Sequence, residues 1–262
     1  MSYYSEVGAK ILKNVEGVVA ALQDHGKFLD VCAGPATFSV AVLKEIGVEE
    51  LASTEFIVSD FSVGMVEGAK VAMSEVVPPQ RPNTQFIVYD VQNIELPSDS
   101  IDVVGCMFGY FVPDRAKAFG EICRVLKTNG TAVIGTWQRA DFAYVLDDFL
   151  KFLGRTKPYV ALKMAHVCAD VALFQDELLG LGFRNVVIHT ESKVFEMPLS
   201  GEVLVGLFNN PMVKNELAPY DSDFVQAEWA KFVRQTDFKY PIDLDQNILY
   251  VEYAANIAIA TK

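Results

Sequence analysis

Between Phe28 and Thr136 five short apolar runs follow in series, with helix-patterned stretches after the first, second and fourth, and nothing else in the chain restricts its fold so strongly. Phe28-Leu29-Asp30-Val31 is a strand candidate, followed by the small-residue turn Cys32-Ala33-Gly34-Pro35-Ala36 and a helix from about Thr37 to Ile46 that Gly47 can cap. Glu55 to Ser59 reads as a second strand ending at Asp60, and Ser62 can cap a helix running to about Val76. The proline-rich stretch 78–82 breaks that pattern, and Phe86 to Tyr89 is a third strand. Ile101 to Met107 suits a strand buried on both faces. Pro113-Asp114 opens the next helix, and Asn129-Gly130 turns into a fifth strand over Thr131 to Thr136. Such alternation predicts an α/β protein with a mostly parallel sheet.

Upstream, Val7, Ile11, Val15, Val18 and Leu22 recur at helical spacing, which predicts one amphipathic helix over 6–24 that Gly26 ends. After Trp137 the alternation lapses, and 139–172 reads as a helical insertion or lid, with 197–240 as a second part of it. Between them lie a helix at about 173–181, a strand Val186 to His189 and a facing run Lys193 to Phe195. Residues 200–208 and 222–235 look helical, and Ile248 to Tyr253 and Asn256 to Ala260 close the chain as strands. The expected organisation is a single domain, 1–262, with a core over 28–137.

Charge and cysteine content remove several functions. Lysine and arginine total 22 against 34 acidic residues, a net charge of −12 that is wrong for neutralising phosphates, so nucleic acid is not an expected partner. Cys32, Cys106, Cys123 and Cys168 form no Cys-x-x-Cys pair, which argues against a disulfide framework and a cysteine-rich zinc site; no metal is expected. No signal-type leader or run of 18 apolar residues is present, so a cytoplasmic protein without a membrane span is expected.

The chemistry gathers at three strand ends. Asp30, Asp60 and Asp90 stand 30 residues apart, about one βαβ unit, each at or beside the carboxyl end of one of the first three strands. Ligands of open α/β sheets bind outside those ends, so the three acids are expected to line one crevice. A carboxylate after the second strand suits a ribose diol, and the turn at 32–36 lets backbone approach a ligand closely. Strand-end aspartate is also ordinary turn chemistry, and it is the joint pattern that points to a nucleoside. With Gly34 as its only glycine, the turn lacks the Gly-x-Gly-x-x-Gly of pyrophosphate sites, which leaves a nicotinamide oxidoreductase a poor third reading.

These segments resemble the class I S-adenosylmethionine-dependent methyltransferases across roughly residues 28–137. Phe28 to Ala36 is similar to the family's first motif, with Cys32 and Ala36 where glycine is usual. Asp60-Phe61-Ser62 with Met65, Tyr89-Asp90-Val91, Met107-Phe108-Gly109 and Arg124 to Gly130 are similar to the motifs that follow. Phe108-Gly109 and Arg124-Val125-Leu126-Lys127 look most like the ubiquinone and menaquinone C-methyltransferase branch. The resemblance implies a Rossmann-like seven-stranded sheet with helices on both faces, an antiparallel last strand and a helical insertion after strand 5. It implies S-adenosyl-L-methionine as cofactor and S-adenosyl-L-homocysteine as product. Asp60 would then accept both ribose hydroxyls, Asp90 the adenine amino group while the Val91 amide donates, and Phe61 and Met65 would sandwich the adenine. Ala33, Gly34 and the Met107 carbonyl would hold the methionine end, its ammonium matched by Asp30. The β-carbons of Cys32 and Ala36 are expected to narrow the cofactor space and oppose positive φ angles.

The implied reaction is in-line displacement at the sulfonium methyl by a small aromatic or quinone-like acceptor. Tyr110, Phe111, Trp137 and Tyr144 are candidate acceptor contacts, with Phe142 and Tyr159 nearby in sequence; ordinary core packing is the competing reading for each. Tyr110 and His166 are the candidate catalytic residues. Tyr3 and Tyr4 either cover the cofactor or fray, and Asp147-Asp148 reads as a solvated helix face. The altered glycines motivate an alternative: a fold-retaining regulatory or partner protein that is not a catalyst.

Overall fold

The computed structural model describes residues 2–76, 83–109, 112–157, 169–199, 217–235 and 237–262. Its strands are β1 (Lys27–Asp30), β2 (Glu55–Asp60), β3 (Asn83–Val88), β4 (Ile101–Met107), β5 (Leu126–Ala140), β6 (Arg184–Pro198), β7 (Ile242–Asp243) and β8 (Ile248–Thr261). The described helices are α1 (Ser2–Lys13), α2 (Val18–Gln23), α3 (Thr37–Ile46), α4 (Val63–Ser74), α5 (Arg115–Val125), α6 (Asp141–Phe152), α7 (Val171–Gly180) and α8 (Ser222–Phe232).

One eight-stranded sheet runs in the order β3-β2-β1-β4-β5-β8-β6, with β7 paired to β8. The pairs β1–β2, β1–β4, β2–β3 and β4–β5 are parallel. The chain builds outward from β1 to β3 and then returns to the other side of β1, so the strand order reverses between β1 and β4. That reversal is where open α/β sheets open a crevice at the carboxyl ends of their strands. The last strand runs the opposite way. Lys262 at the end of β8 exchanges backbone hydrogen bonds with Asn129 and Gly130 near the start of β5. Along β6, Asn185, Thr190 and Ser192 meet Thr261, Asn256 and Glu252 in turn.

The chain divides into two compact units. The first comprises Met1–Thr136, Asp170–Glu191 and Ala255–Lys262. At its centre the Phe28 ring lies 5.0 Å from Phe56 and 5.9 Å from Phe38, all three buried. Gly105 on β4 makes room for that cluster: a Cβ there would lie 2.5 Å from two Phe38 ring carbons. Side chains cap three of its described helices, Ser62 Oγ accepting from the Met65 amide and Asp114 from Lys117, as the sequence leads one to expect, and Asp170 from Ala172 and Leu173.

The second unit comprises Trp137–Ala169 and Ser192–Ala254. Its core is aromatic, with Phe149 edge-on to Trp229 at 5.0 Å and 5.4 Å from Phe232, over Leu249 and Val251 of β8.

Several local expectations change. The helix over 6–24 is two helices, because Asn14 turns its amide back onto the Lys10 carbonyl and Gly17 takes a left-handed φ of 78°. Val186 to Phe195 is one continuous strand, as is Ile248 to Thr261, and β7 adds a short eighth strand. The Asp147-Asp148 pair is not a solvated face. Asp147 is buried against Lys151, while Asp148 accepts from the Tyr240 hydroxyl at 2.6 Å and pairs with Lys239 at 2.7 Å. Residues 200–208, read as helical, lie outside the described residues. Among the described residues no helix is long and apolar enough to cross a membrane.

Candidate functional site

The turn after β1 is stitched to both neighbouring strands. The Val31 amide donates to the Gly105 carbonyl of β4 and the Ala33 amide to the Ser59 carbonyl of β2, each at 2.9 Å. Between these anchors the backbone takes left-handed angles at every second residue: φ is 52° at Cys32, 55° at Gly34 and 57° at Ala36. For a residue with a β-carbon that conformation costs roughly 1–2 kcal/mol. The expectation that Cys32 and Ala36 oppose it is met by a turn that adopts it regardless, and strain held in this way concentrates at ligand sites.

The Cys32 side chain is accommodated by Gly109 at the end of β4. A Cβ on Gly109 would collide with the Cys32 Cβ and lie 2.9 Å from both the Cys32 and Cys106 sulfurs. Gly34 shows the reverse, since a Cβ there would meet nothing within 4 Å. The cysteine therefore packs toward β4 while the space beside Gly34 stays open. The amides of Ala33 and Gly34, expected to serve a ligand, are used internally: Ala33 donates to Ser59 and Gly34 donates to Asp60 Oδ2 at 2.9 Å.

Asp30 is fully buried at the base of the turn. Its Oδ2 accepts from the Ser39 hydroxyl at 2.6 Å and the Ser39 amide at 3.1 Å, whereas Oδ1 has no partner. Burial pushes its pKa up to about 7, against the opposing pull of the Ser39 bonds. Asp60 closes β2 with its carboxylate fixed by two amides, Gly34 on Oδ2 and Ser62 on Oδ1, both at 2.9 Å. Directly after it Phe61 is 77% exposed and Met65, one helical turn on, is 38% exposed. Large apolar side chains left in solvent beside a fixed carboxylate suit a flat ring with a polar edge. Asp90 follows β3, its two oxygens accepting from the Gln92 side-chain amide and Oδ1 also from the Gln92 backbone, which holds its pKa below the usual range. Val91 beside it is buried.

Met107 ends β4 with its thioether methyl against Gly135 and Gly8, so that α1 reaches the same strand end. Phe108 takes a left-handed φ of 64°, and the buried Tyr4 ring stands edge-on to it at 6.1 Å. Tyr4 is thus packed rather than frayed. Asp30, Ala33, Gly34, Asp60, Phe61, Met65, Asp90, Val91 and Met107 all belong to the first unit, at the carboxyl ends of β1 to β4.

Ser39 and Gln92 were not foreseen, nor was the room that Gly109 makes for Cys32. Gln92 two residues after Asp90 is an Asx-turn position and was in principle legible. Ser39 and Gly109 acquire their roles only through pairing across the fold. Trp137 and Tyr144 lie in the second unit, Trp137 with its ring 5.2 Å from Tyr253 and Tyr144 on α6. Tyr110, Phe111, Tyr159, His166 and Cys168 lie outside the described residues.

Comparison with known proteins agrees with this geometry. Residues 28–130 match the family described as methyltransferase domain. The demethylmenaquinone methyltransferase of Listeria monocytogenes serotype 4a is 33% identical over 147 residues, covering 52% of this chain and 59% of that protein. That of a Geobacillus strain is 33% identical over 113 residues, covering 43% of this chain and 45% of the relative. The chain thus spans less than two thirds of the length of these relatives. Among solved structures, the YcgJ protein of Bacillus subtilis superposes with a TM-score of 0.59 at 17% identity, over 99% of this chain and 98% of that one. The DszA carbon methyltransferase gives 0.52 at 20% identity, over 71% and 48%. Both are likenesses of fold. Residues 28–130 thus match a methyltransferase domain, and the chain is similar in sequence to demethylmenaquinone methyltransferases over about half its length.

Proposed function

We propose that the chain binds S-adenosyl-L-methionine at the carboxyl ends of β1 to β4 and transfers its methyl group to a small aromatic or quinone-like acceptor. The observation that carries this reading is the strained turn at Cys32, Gly34 and Ala36, open beside Gly34 and bonded to the Asp60 carboxylate. The orphaned Asp30 Oδ1 supplies the fit, because a buried carboxylate oxygen without a donor suits the ammonium of an amino-acid end.

When bound, the cofactor supplies a sulfonium methyl whose leaving group is already activated. The chain binds and orients. Each Asp60 oxygen accepts one amide and keeps a lone pair for a ribose hydroxyl. Phe61 and Met65 offer apolar surface to the adenine, and Asp90, with the Val91 amide, its polar edge. Holding acceptor and methyl in line supplies most of the acceleration such a transfer needs, and a base is required only where the acceptor must lose a proton.

Calorimetric titration with S-adenosyl-L-homocysteine tests this reading. Asp60→Ala removes a charge-assisted contact worth about 1.5–3 kcal/mol, so affinity falls at least tenfold. Asp90→Ala weakens it as well. Absence of binding by folded wild-type protein would instead favour the fold-retaining partner protein that the altered glycines suggest.

A further inference from the structure

Cys32 holds a left-handed φ of 52°, a conformation its β-carbon opposes, and the proposed cofactor site gives its thiol no task. A neighbouring strand supplies one. Cys106 stands next to Met107 at the carboxyl end of β4, and the parallel register that sets Asp30 opposite Gly105 brings it diagonally beside Cys32. Adjacent strands lie about 4.8 Å apart, and one residue of stagger keeps such a pair within the roughly 4.4–6.8 Å between Cα atoms that a disulfide bridges.

The side chains converge as well. A Cβ on Gly109 would lie 2.9 Å from each of the two sulfurs, so both face the one gap that this glycine leaves, and the Cys32 thiol hydrogen-bonds to Cys106. Both are free thiols of the first unit, Cys106 buried and Cys32 partly exposed. Cys123, also buried, lies elsewhere, its sulfur beside Gly182.

We propose that Cys32 and Cys106 are a redox pair, closed to a disulfide by a peroxide and reopened by a thiol. Cys32, the more accessible, reacts first. Its sulfur attacks one peroxide oxygen, an S–O bond forms as the O–O bond breaks, and the departing oxygen leaves as water with the thiol proton. The Cys106 sulfur then attacks the sulfenic sulfur: the S–S bond forms, the S–O bond breaks, and the hydroxyl leaves with the Cys106 proton as a second water. The two thiols together give up two electrons to one hydrogen peroxide. Two molecules of an added thiol reopen the bond by exchange and become a disulfide themselves. The Cys106 contact, then burial, raise the Cys32 pKa, so little thiolate is present at neutral pH and the oxidation is slow.

The bond also bears on the cofactor site, a consequence that rests on the methyl-transfer reading. Ala33 and Gly34, next to Cys32, are tied the other way, to Ser59 and Asp60 of β2. Contraction from a thiol contact to a bond of about 2.05 Å draws Cys32 toward β4 and against those two hydrogen bonds.

The test is overnight treatment of the reduced full chain with millimolar hydrogen peroxide, then denaturation, alkylation of the remaining thiols and peptide mapping. A cross-link between Cys32 and Cys106 is expected, with the mass of two hydrogens lost and both thiols recovered in dithiothreitol. In urea the same treatment scatters the pairing, because only the fold brings these strands together. Cys106→Ser forms no such cross-link and leaves Cys32 as a sulfenic acid that dimedone traps; Cys106→Ala serves as a second variant, and circular dichroism reports folding. Both thiols still open to alkylation after treatment of the folded chain overturn the inference, as does a cross-link to Cys123 or Cys168 in place of this one. S-adenosyl-L-homocysteine titrated into the reduced and oxidised wild-type chains tests the consequence: affinity is expected to fall about fivefold or more on oxidation and to return in dithiothreitol. A cross-link with unchanged affinity removes the coupling to the cofactor site. If the cross-link forms in a chain that never binds the nucleoside, the disulfide stands and the methyl-transfer reading falls.

Discussion

Asp30 couples the candidate site to pH. Its carboxyl titrates near 7 in the folded chain against 3.8 for the free side chain. Below about pH 4 both folded and unfolded states hold the proton, and burial costs nothing extra. Between about 4 and 7 the unfolded chain releases it while the folded chain keeps it, so stability falls as pH rises, by a few kcal/mol at most, and levels off above 7. Asp30→Asn keeps an oxygen for Ser39 and removes the ionisation. Urea titrations across this range are expected to show the wild-type decline and a flatter variant; parallel profiles would show that Asp30 ionises normally. An ammonium placed at Oδ1 favours the ionised form, so cofactor binding below pH 7 is expected to release a proton, measurable as a heat that depends on the buffer's ionisation enthalpy. Gly34 supplies a second prediction. Gly34→Ala adds only about 1 kcal/mol of backbone strain, because its methyl meets no protein atom within 4 Å. That methyl fills the open space, so S-adenosyl-L-homocysteine binding is expected to fall by tenfold or more while the urea midpoint moves little; unchanged affinity would place the ligand elsewhere. The even spacing of Asp30, Asp60 and Asp90 is legible in the sequence itself. That Asp30 lies dry and half-partnered is not, because its partner Ser39 arrives from α3, on the far side of the turn.

At the scale of elements, sequence patterns located the βα units because parallel strands buried on both faces must be continuously apolar, and helices must be striped. Boundaries moved where a local break competed with the stripe, as at Asn14 and Gly17, or where pairing extended a strand beyond its apolar run, as in β6. Gly105 illustrates what pattern does not reveal. It reads as a weak strand residue, yet it is the slot into which Phe38 fits. Gly105→Ala is expected to destabilise the first unit by about 1–3 kcal/mol through overpacking, read as a lower urea midpoint. Shortening the facing ring with Phe38→Leu should recover part of the loss, and additive losses would disprove the pairing. In the second unit, Phe149→Ala removes the ring that joins Trp229 to Phe232 and is expected to cost about 3–5 kcal/mol. Both tryptophans of the chain, Trp137 and Trp229, lie in this unit, so their fluorescence reports its unfolding.

For the molecule as a whole, the net charge of −12 predicts no retention of duplex DNA or RNA at about 0.1 M salt, and a shift in a gel assay at that ionic strength would contradict it. Much about the chain was determined by sequence alone. The α/β class, the parallel order of the early strands and the three strand-end aspartates follow from periodicity and local turn chemistry, which act over a few residues, and the resemblance to methyltransferases rests on short motifs of the same range. What tertiary structure decided has a different range. It set the left-handed angles at Cys32 and Ala36, which local preference opposes and pairing to β2 and β4 enforces. It left Asp30 Oδ1 without a partner, turned Asp147 and Asp148 inward, and gathered Arg139, Tyr144, Tyr240 and Tyr250 around one cavity. Apart from the Asp147–Lys151 pair, each of these depends on contacts between residues well separated in the chain, which no short window of sequence contains.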